Sequence, residues 1–201
     1  MAGWFALCPQ YGDPACPNTS ADPLAVLTAF RTAPPFLMNV FLIINPIVPY
    51  LYPVSYIALG LLAMKRAPWL ATIGIVGGFV GAIPWGTIAD QMYMLNTMAH
   101  LGQSSNSIPL MNSYLSVNPV VYIVAGGWIF GHLLGYVFLG IALARARAIP
   151  QWAAWLIVAS APIMGPIAYG TRIGWIQVFG YLMAFIGSIP AAITFLKQSF
   201  A

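Results

Sequence analysis

From residue 36 to residue 64 the chain reads FLMNVFLIINPIVPYLYPVSYIALGLLAM, without one charged side chain. A helix needs about 20 mostly apolar residues to cross the hydrocarbon core of a bilayer, and this stretch is longer. In lipid a backbone must satisfy its own hydrogen-bonding groups, and a continuous apolar run satisfies them as a helix. The stretch therefore predicts a membrane-spanning helix.

Further apolar stretches follow along the 201-residue chain, in which only 5% of the residues are charged. Soluble domains carry about 25%, so this chain lacks the surface that water requires. The sequence predicts an all-α, polytopic transmembrane helical bundle of five spans, with four to six as the range. The bundle covers residues 36–197, and its predicted spans are residues 36–64, 69–95, 119–143, 152–169 and 173–196.

The basic side chains predict the orientation of this bundle. One group lies in two short turns and at the C-terminal end, and comprises Lys65, Arg66, Arg145, Arg147 and Lys197. Arg31 and Arg172 lie on the other side. Because cytoplasmic loops are rich in Lys and Arg, we expect an external N-terminus, an internal C-terminus and a multi-pass location in the cell membrane. The net charge of +4 then reflects topology, and no basic run indicates a nucleic-acid partner.

Two segments are predicted to lie outside the membrane. Residues 1–35 form an extracytoplasmic tail, in which apolar side chains at helical spacing within 21–35 predict a short amphipathic helix on the outer surface. Cys8 and Cys16 are predicted to form a disulfide in this oxidising compartment, with two reduced thiols as the alternative. The polar stretch 96–118 predicts an outer loop.

Glycines four residues apart occur in the second and third predicted spans. They are the pairs Gly74/Gly78 and Gly77/Gly81, and the series Gly127, Gly131 and Gly135. Small residues at this spacing let two helix backbones approach closely in lipid. We expect the two spans to pack on each other, and a dimer interface is the alternative.

The first span contains the segment Asn45-Pro46-Ile47-Val48-Pro49-Tyr50-Leu51-Tyr52-Pro53. Each internal proline removes a helical hydrogen bond and clashes with the preceding turn. The segment therefore predicts a kinked or broken helix near the middle of the membrane. In transporters such breaks often mark the substrate site, and the alternative is a kink that only improves packing.

His132 lies well inside the predicted span 119–143, near the bilayer centre. Together with Trp128 and Tyr136 it forms a stripe that repeats every four residues. Ionisable groups at this depth usually face the bundle interior. His132 has three interpretations: a structural hydrogen-bonding group, with a freed carbonyl of the first span as one partner, a ligand-binding or proton-handling group, or a ligand of a metal or haem iron.

Asp90 and Arg172 are predicted at the outer ends of the second and fifth spans, where they can pair or act as separate groups. Polar and aromatic residues from several spans can then converge on an outward-opening cavity. The predicted ligand-binding residues are Asn45, Tyr50, Trp85, Asp90, Trp128, His132, Tyr136 and Arg172.

The segment GHLLG at 131–135, followed by LGIALARARAIPQWAAW at 139–155, resembles a large group of uncharacterised multi-pass membrane proteins of high-GC bacteria. Those proteins carry a glycine-rich span that ends in Gly-x-Ala-Leu-x-Arg-x-Arg, then x-x-Pro-x-Trp-Ala-Ala where the next span starts. The resemblance covers about residues 36–165. It implies a helical-bundle membrane protein and no established activity.

The leading functional hypothesis is a non-enzymatic protein that binds a small lipophilic or amphipathic molecule, and translocates it or delivers it to a partner. The sequence contains no Glu, no HExxH and no P-loop, which disfavours common hydrolases and ATPases. One alternative is a redox or lipid-modifying enzyme that uses His132 with haem or quinone. The other is a structural subunit of a homo-oligomer or larger membrane complex.

Overall fold

The computed structural model describes residues 23–44, 46–83, 85–101, 109, 127–171 and 174–199, and in these ranges the chain is helical without strands. The α-helices are α1 (Pro23–Thr32), α2 (Pro35–Ile44), α3 (Val48–Met64), α4 (Pro68–Ala82), α5 (Trp85–His100), α6 (Leu134–Ala146), α7 (Gln151–Pro162), α8 (Ala168–Thr171) and α9 (Gly174–Ser199). Two π-helical segments join them: π1 (Trp128–Leu133) precedes α6, and π2 (Ile163–Ile167) follows α7.

Prolines set several of these helix starts. Helices α1, α2 and α4 each begin at a proline, and Pro49 lies in the first turn of α3. Proline is tolerated there because the N–H that it lacks would have no helical partner in any case. Helix α6 ends at Arg147, which adopts a left-handed backbone with φ 50°. The Arg147 N–H donates to the carbonyls of Ala144 and Leu143.

The described helices form a bundle, which confirms the all-α helical prediction. Helix α3 packs on α4, α4 on π1 and α6, α6 on α7, and α7 on α9. Helix α9 touches α3 only sparingly, so this side of the bundle is the most loosely closed. The fully buried core includes Tyr56, Leu139, Leu143, Ile157 and Met164.

One described helix, Trp175–Lys197, is long and apolar enough to cross a membrane. The helices Met38–Ile44 and Val48–Met64 pass the same test if they count as one span bent by 52°. Shorter apolar helices cover Pro68–Ala82, Phe130–Ala146 and Gln151–Ile167. The five-span arrangement therefore stays a prediction.

Helices α4 and α5 cover the second predicted span and the start of the predicted outer loop. The span predicted over residues 69–95 contains two helices, α4 and α5, which end and begin on either side of Pro84, a residue type that lacks the N–H needed to continue a helix. The single span stays a prediction. The loop predicted from residue 96 starts later, since α5 runs to His100 and the Leu101 N–H still bonds the Thr97 carbonyl.

Helix α1 lies where the sequence predicts an amphipathic helix within 21–35, and its apolar face packs against α2 and α5. Its apolar residues Leu27 and Phe30 are buried against Met38 of α2 and against Leu95 and Met98 of α5. This second cluster is separate from the main core. The cysteines Cys8 and Cys16 lie outside the described residues, so their disulfide stays a prediction.

Candidate ligand-binding cleft

The glycine faces of α4 and π1–α6 bring His132 into the centre of the bundle. A Cβ on Gly81 would lie 2.1 Å from the backbone nitrogen of His132, and one on Gly131 would lie 2.6 Å from the Gly77 carbonyl oxygen. A Cβ on Gly135 would lie 2.8 Å from the Gly78 Cα. The two backbones are therefore in direct contact, which confirms the predicted packing of these spans on each other.

His132 lies in π1 and is fully buried. Its Nδ1 is 2.5 Å from the hydroxyl oxygen of Tyr56 on α3. The hydroxyl donates to Nδ1 when the imidazole carries its proton on Nε2. This hydrogen bond joins the first predicted span to the third across the bundle. The sequence suggested a freed backbone carbonyl of the first span as the partner of His132, and the partner in the structure is the Tyr56 side chain.

Three tyrosines pack edge-on against the His132 ring. The ring centroids of Tyr52, Tyr136 and Tyr56 lie 4.7, 5.1 and 5.9 Å from that of His132. We call Tyr52, Tyr56, His132 and Tyr136 the tyrosine–histidine cluster. A haem does not fit on His132 in this packing, because the imidazole has no exposed surface and tyrosines crowd its ring.

A cleft of about 570 Å³ opens between α3 and α9 at the loosely closed side of the bundle. Helix α3 contributes one wall, α9 the other, and Tyr136 of α6 lies between them. The lining residues are Leu51, Tyr52, Ser55, Ala58, Leu59, Leu62, Tyr136, Tyr181, Ala184, Phe185, Ser188, Ala191, Ala192, Phe195 and Leu196. This volume falls in the range of about 300–1,000 Å³ that small-molecule sites occupy.

The two ends of the cleft differ in chemistry. Tyr52, Tyr136 and Tyr181 lie at the end nearer the bundle centre, whereas Leu62 and Leu196 lie at the end near Lys65 and Lys197. The seryl hydroxyls between them are bonded inside their own helices: Ser55 donates to the Tyr52 carbonyl and Ser188 to the Ala184 carbonyl, each at 2.7 Å. The cleft therefore has a polar aromatic end and an apolar end.

Three of the predicted site residues have side chains that the structure describes: Tyr50, His132 and Tyr136. Tyr136 lines the cleft, and His132 lies behind it in the cluster. Tyr50 does not line the cleft and is 76% exposed. Trp85 and Asp90 fall in α5 and Trp128 in π1, while Asn45 and Arg172 lie outside the described residues. The outward-opening cavity and the Asp90–Arg172 pair therefore stay predictions.

Sequence reasoning missed Tyr52, Tyr56 and Tyr181. A usable signal was present for two of them, since Tyr52 and Tyr56 lie four residues apart in the first span, as His132 and Tyr136 do in the third. Residues four apart share a helix face, so two facing stripes could have been paired. Tyr181 carries no such signal.

The break between α2 and α3 has an identifiable partner on α5. In a continuous helix the Leu42 carbonyl would accept from the N–H of residue 46, but Pro46 has none. The Tyr93 hydroxyl donates to this Leu42 carbonyl instead. Tyr93 therefore satisfies an acceptor that the proline leaves open, and it holds α5 at the break.

The basic turns also contribute local contacts. The Arg66 guanidinium donates from Nη1 to the Ala146 carbonyl at 3.1 Å, and Gln151 donates from Nε2 to the Ala144 carbonyl at 2.8 Å. Both carbonyls belong to the last turn of α6, where the helix dipole favours positive charge. Arg66 thus caps the C-terminal end of α6. It also belongs to the group of basic residues from which the orientation is predicted.

No protein-family model, curated protein or solved structure matches this chain, so its function is inferred from the geometry above.

Proposed function

We propose that this chain is a multi-pass protein of the cell membrane that binds a small lipophilic molecule in the α3–α9 cleft. The observation that carries the proposal is the cleft itself. It has the volume of a small-molecule site, and its walls are apolar except for tyrosine and serine hydroxyls. Apolar walls with a few placed polar groups are typical of such sites.

The surface around the cleft supports access from lipid. Leu51 and Phe185, which line the cleft, are 62% and 66% exposed, and Leu196 is 55% exposed. The described helices carry further exposed large apolar residues, such as Trp69 at 81% and Trp175 at 71%. Many large apolar side chains exposed in this way are typical of a membrane or partner environment. The ligand would enter sideways between α3 and α9.

We also propose five spans with the N-terminus outside and the C-terminus inside. The turns that carry Lys65, Arg66, Arg145 and Arg147 are joined by the Arg66–Ala146 contact, so these charges share one end of the bundle. An excess of Lys and Arg on one side favours a cytoplasmic location for that side.

The test is native mass spectrometry of the full chain, gently purified from its membrane, together with an absorption spectrum. We expect a co-purifying small molecule in the unmodified protein. Ala192→Trp places an indole in the cleft and should abolish the added mass. Ile193→Trp is the matched control, because Ile193 is the next residue along α9, is 49% exposed and does not line the cleft.

Loss of the added mass in both variants, or in neither, would show that the molecule binds elsewhere. A bare protein mass under conditions that retain lipids would count against ligand binding and favour a structural subunit. A visible chromophore would instead point to the redox alternative.

A further inference from the structure

We infer that the ligand of the α3–α9 cleft is an uncharged single-chain lipophile, with a hydroxyl or carbonyl head at Tyr52 and Tyr136 and a hydrocarbon tail that runs toward Leu196. This inference rests on the proposed function and specifies the chemistry of the molecule and its direction in the cleft.

The lining argues for an uncharged head. Among the described residues that line the cleft, none is an acid, a base or a histidine. An anionic or cationic head at the tyrosine end would therefore lie without a counter-ion, since Lys65 and Lys197 are at the opposite end, and buried charges are costly unless they are paired. The hydrogen-bonding groups at the central end are phenol hydroxyls, each of which both donates and accepts, so a hydroxyl bonded within the protein, as Tyr136 is to Tyr56, can still bond a neutral oxygen.

The position of the tyrosines along the helices argues for the direction. Helices α3 and α9 both run toward the end that carries Lys65 and Lys197, so Tyr52 and Tyr181 lie at the same end of the cleft. At about 1.5 Å per residue, Tyr52 lies about 20 Å from Lys65 along the helix axis. In a hydrocarbon core about 30 Å thick, this places Tyr52 about two thirds of the way across, well inside the hydrocarbon, where a charge is costly.

The dimensions argue for one chain. The α3 wall from Tyr52 to Leu62 is about 15 Å long and the α9 wall from Tyr181 to Leu196 about 22 Å. The α3 wall is comparable to one leaflet of the hydrocarbon core, about 15 Å, and the α9 wall is longer but still shorter than the whole core of about 30 Å. Small residues line the cleft along this length and leave room for a hydrocarbon chain. They are Ala58, Ala184, Ser188, Ala191 and Ala192.

The experiment compares three ligands with the same tail by titration of the purified full chain in native mass spectrometry. Hexadecanol carries a neutral head, hexadecyl phosphate an anionic one, and hexadecane none. We expect hexadecanol to bind at least about tenfold more tightly than hexadecyl phosphate, because a charge at this depth is unfavourable. Ala192→Trp should weaken all three, and Ile193→Trp should weaken none.

Tyr52→Phe and Tyr136→Phe test where the head lies. Each keeps the ring and removes the hydroxyl, so we expect hexadecanol to bind about 2- to 10-fold more weakly. Hexadecane binding should be unchanged, and this control separates a lost hydrogen bond from a distorted cleft. If either variant weakens hexadecane as much as hexadecanol, the head does not lie at that tyrosine and the inference is overturned.

The remaining outcomes separate the inference from the proposed function. If hexadecyl phosphate binds as tightly as hexadecanol or more tightly, and Ala192→Trp still blocks it, the cleft is a ligand site but the uncharged head is wrong. If none of the three ligands binds the unmodified chain, both the proposed function and the inference fail.

Discussion

The side chains of Tyr56 and His132 form a hydrogen bond inside the core of the described residues. Both side chains are fully buried, and the bond joins α3 to π1 across 76 residues of sequence. A buried polar group that loses its partner costs about 1–3 kcal/mol, more than a typical bond contributes net. The pair therefore favours the packed bundle over arrangements in which either group loses its partner.

Tyr56→Phe should destabilise the protein by about 1–3 kcal/mol, because the ring still fills its space while Nδ1 of His132 loses this partner. Urea unfolding in a fixed detergent measures the change. Tyr50→Phe is the control, since Tyr50 is 76% exposed and a surface change of this kind stays within about 0.5 kcal/mol. Equal stability of the two variants would show that the Tyr56–His132 bond contributes little.

At the scale of elements, the break between α2 and α3 depends on a contact with α5. Pro46 leaves the Leu42 carbonyl without its helical donor, and Tyr93 supplies one. The sequence predicted the break from its prolines, and the 52° bend between the two helices agrees with that prediction. Which group satisfies the freed carbonyl follows only from the packing of α5 beside α2.

Tyr93→Phe should loosen α2 at the break, since the Leu42 carbonyl loses the donor that replaces the missing N–H. We expect faster hydrogen exchange of the α2 amides, with α7 unchanged, measured by mass spectrometry in detergent. Thr32→Ala is the control, because the Thr32 hydroxyl bonds the Thr28 carbonyl within its own exposed helix. Equal exchange in the Tyr93 variant and the unmodified protein would show that the bend does not need this bond.

Two glycines on α4 give a matched test of the backbone contact with π1. Gly81→Ala places a Cβ 2.1 Å from the His132 nitrogen and should cost about 1–3 kcal/mol or more, because backbone cannot yield as a flexible side chain does. Gly77→Ala meets the Gly131 carbonyl oxygen at 3.5 Å, an ordinary contact. It should be neutral or stabilise the helix by up to about 1 kcal/mol.

Thermal unfolding of both variants in one detergent measures this difference. If Gly77→Ala costs as much as Gly81→Ala, the approach of α4 to π1 is not as the structure shows it, and the dimer interpretation of the glycine faces regains support.

At the scale of the whole molecule, topology is the property to test. In a background with Cys8 and Cys16 replaced by Ser, Leu101→Cys should react with a membrane-impermeant maleimide in intact cells, because Leu101 follows α5 at the proposed outer end and is 77% exposed. Ala148→Cys, in the basic turn between α6 and α7, should react only after permeabilisation. Labelling of Ala148→Cys in intact cells would reverse the proposed orientation.

The sequence by itself determined the helical class, because long uncharged stretches leave the backbone no partner except itself. It also determined the contact of α4 with π1 and α6, since glycines four apart mark a face that another backbone can approach. It did not indicate that the stretch 69–95 contains two helices, α4 and α5, in the structure.

Only the tertiary structure decided the site. His132 and Tyr136 could be singled out by residue type and spacing, but their partners Tyr52 and Tyr56 lie in a helix that local patterns cannot place beside them. The cleft depends on α3 and α9, which are separated by more than half of the chain and touch only sparingly. A cavity is the space that packed helices leave between them, so it has no local signature in the sequence.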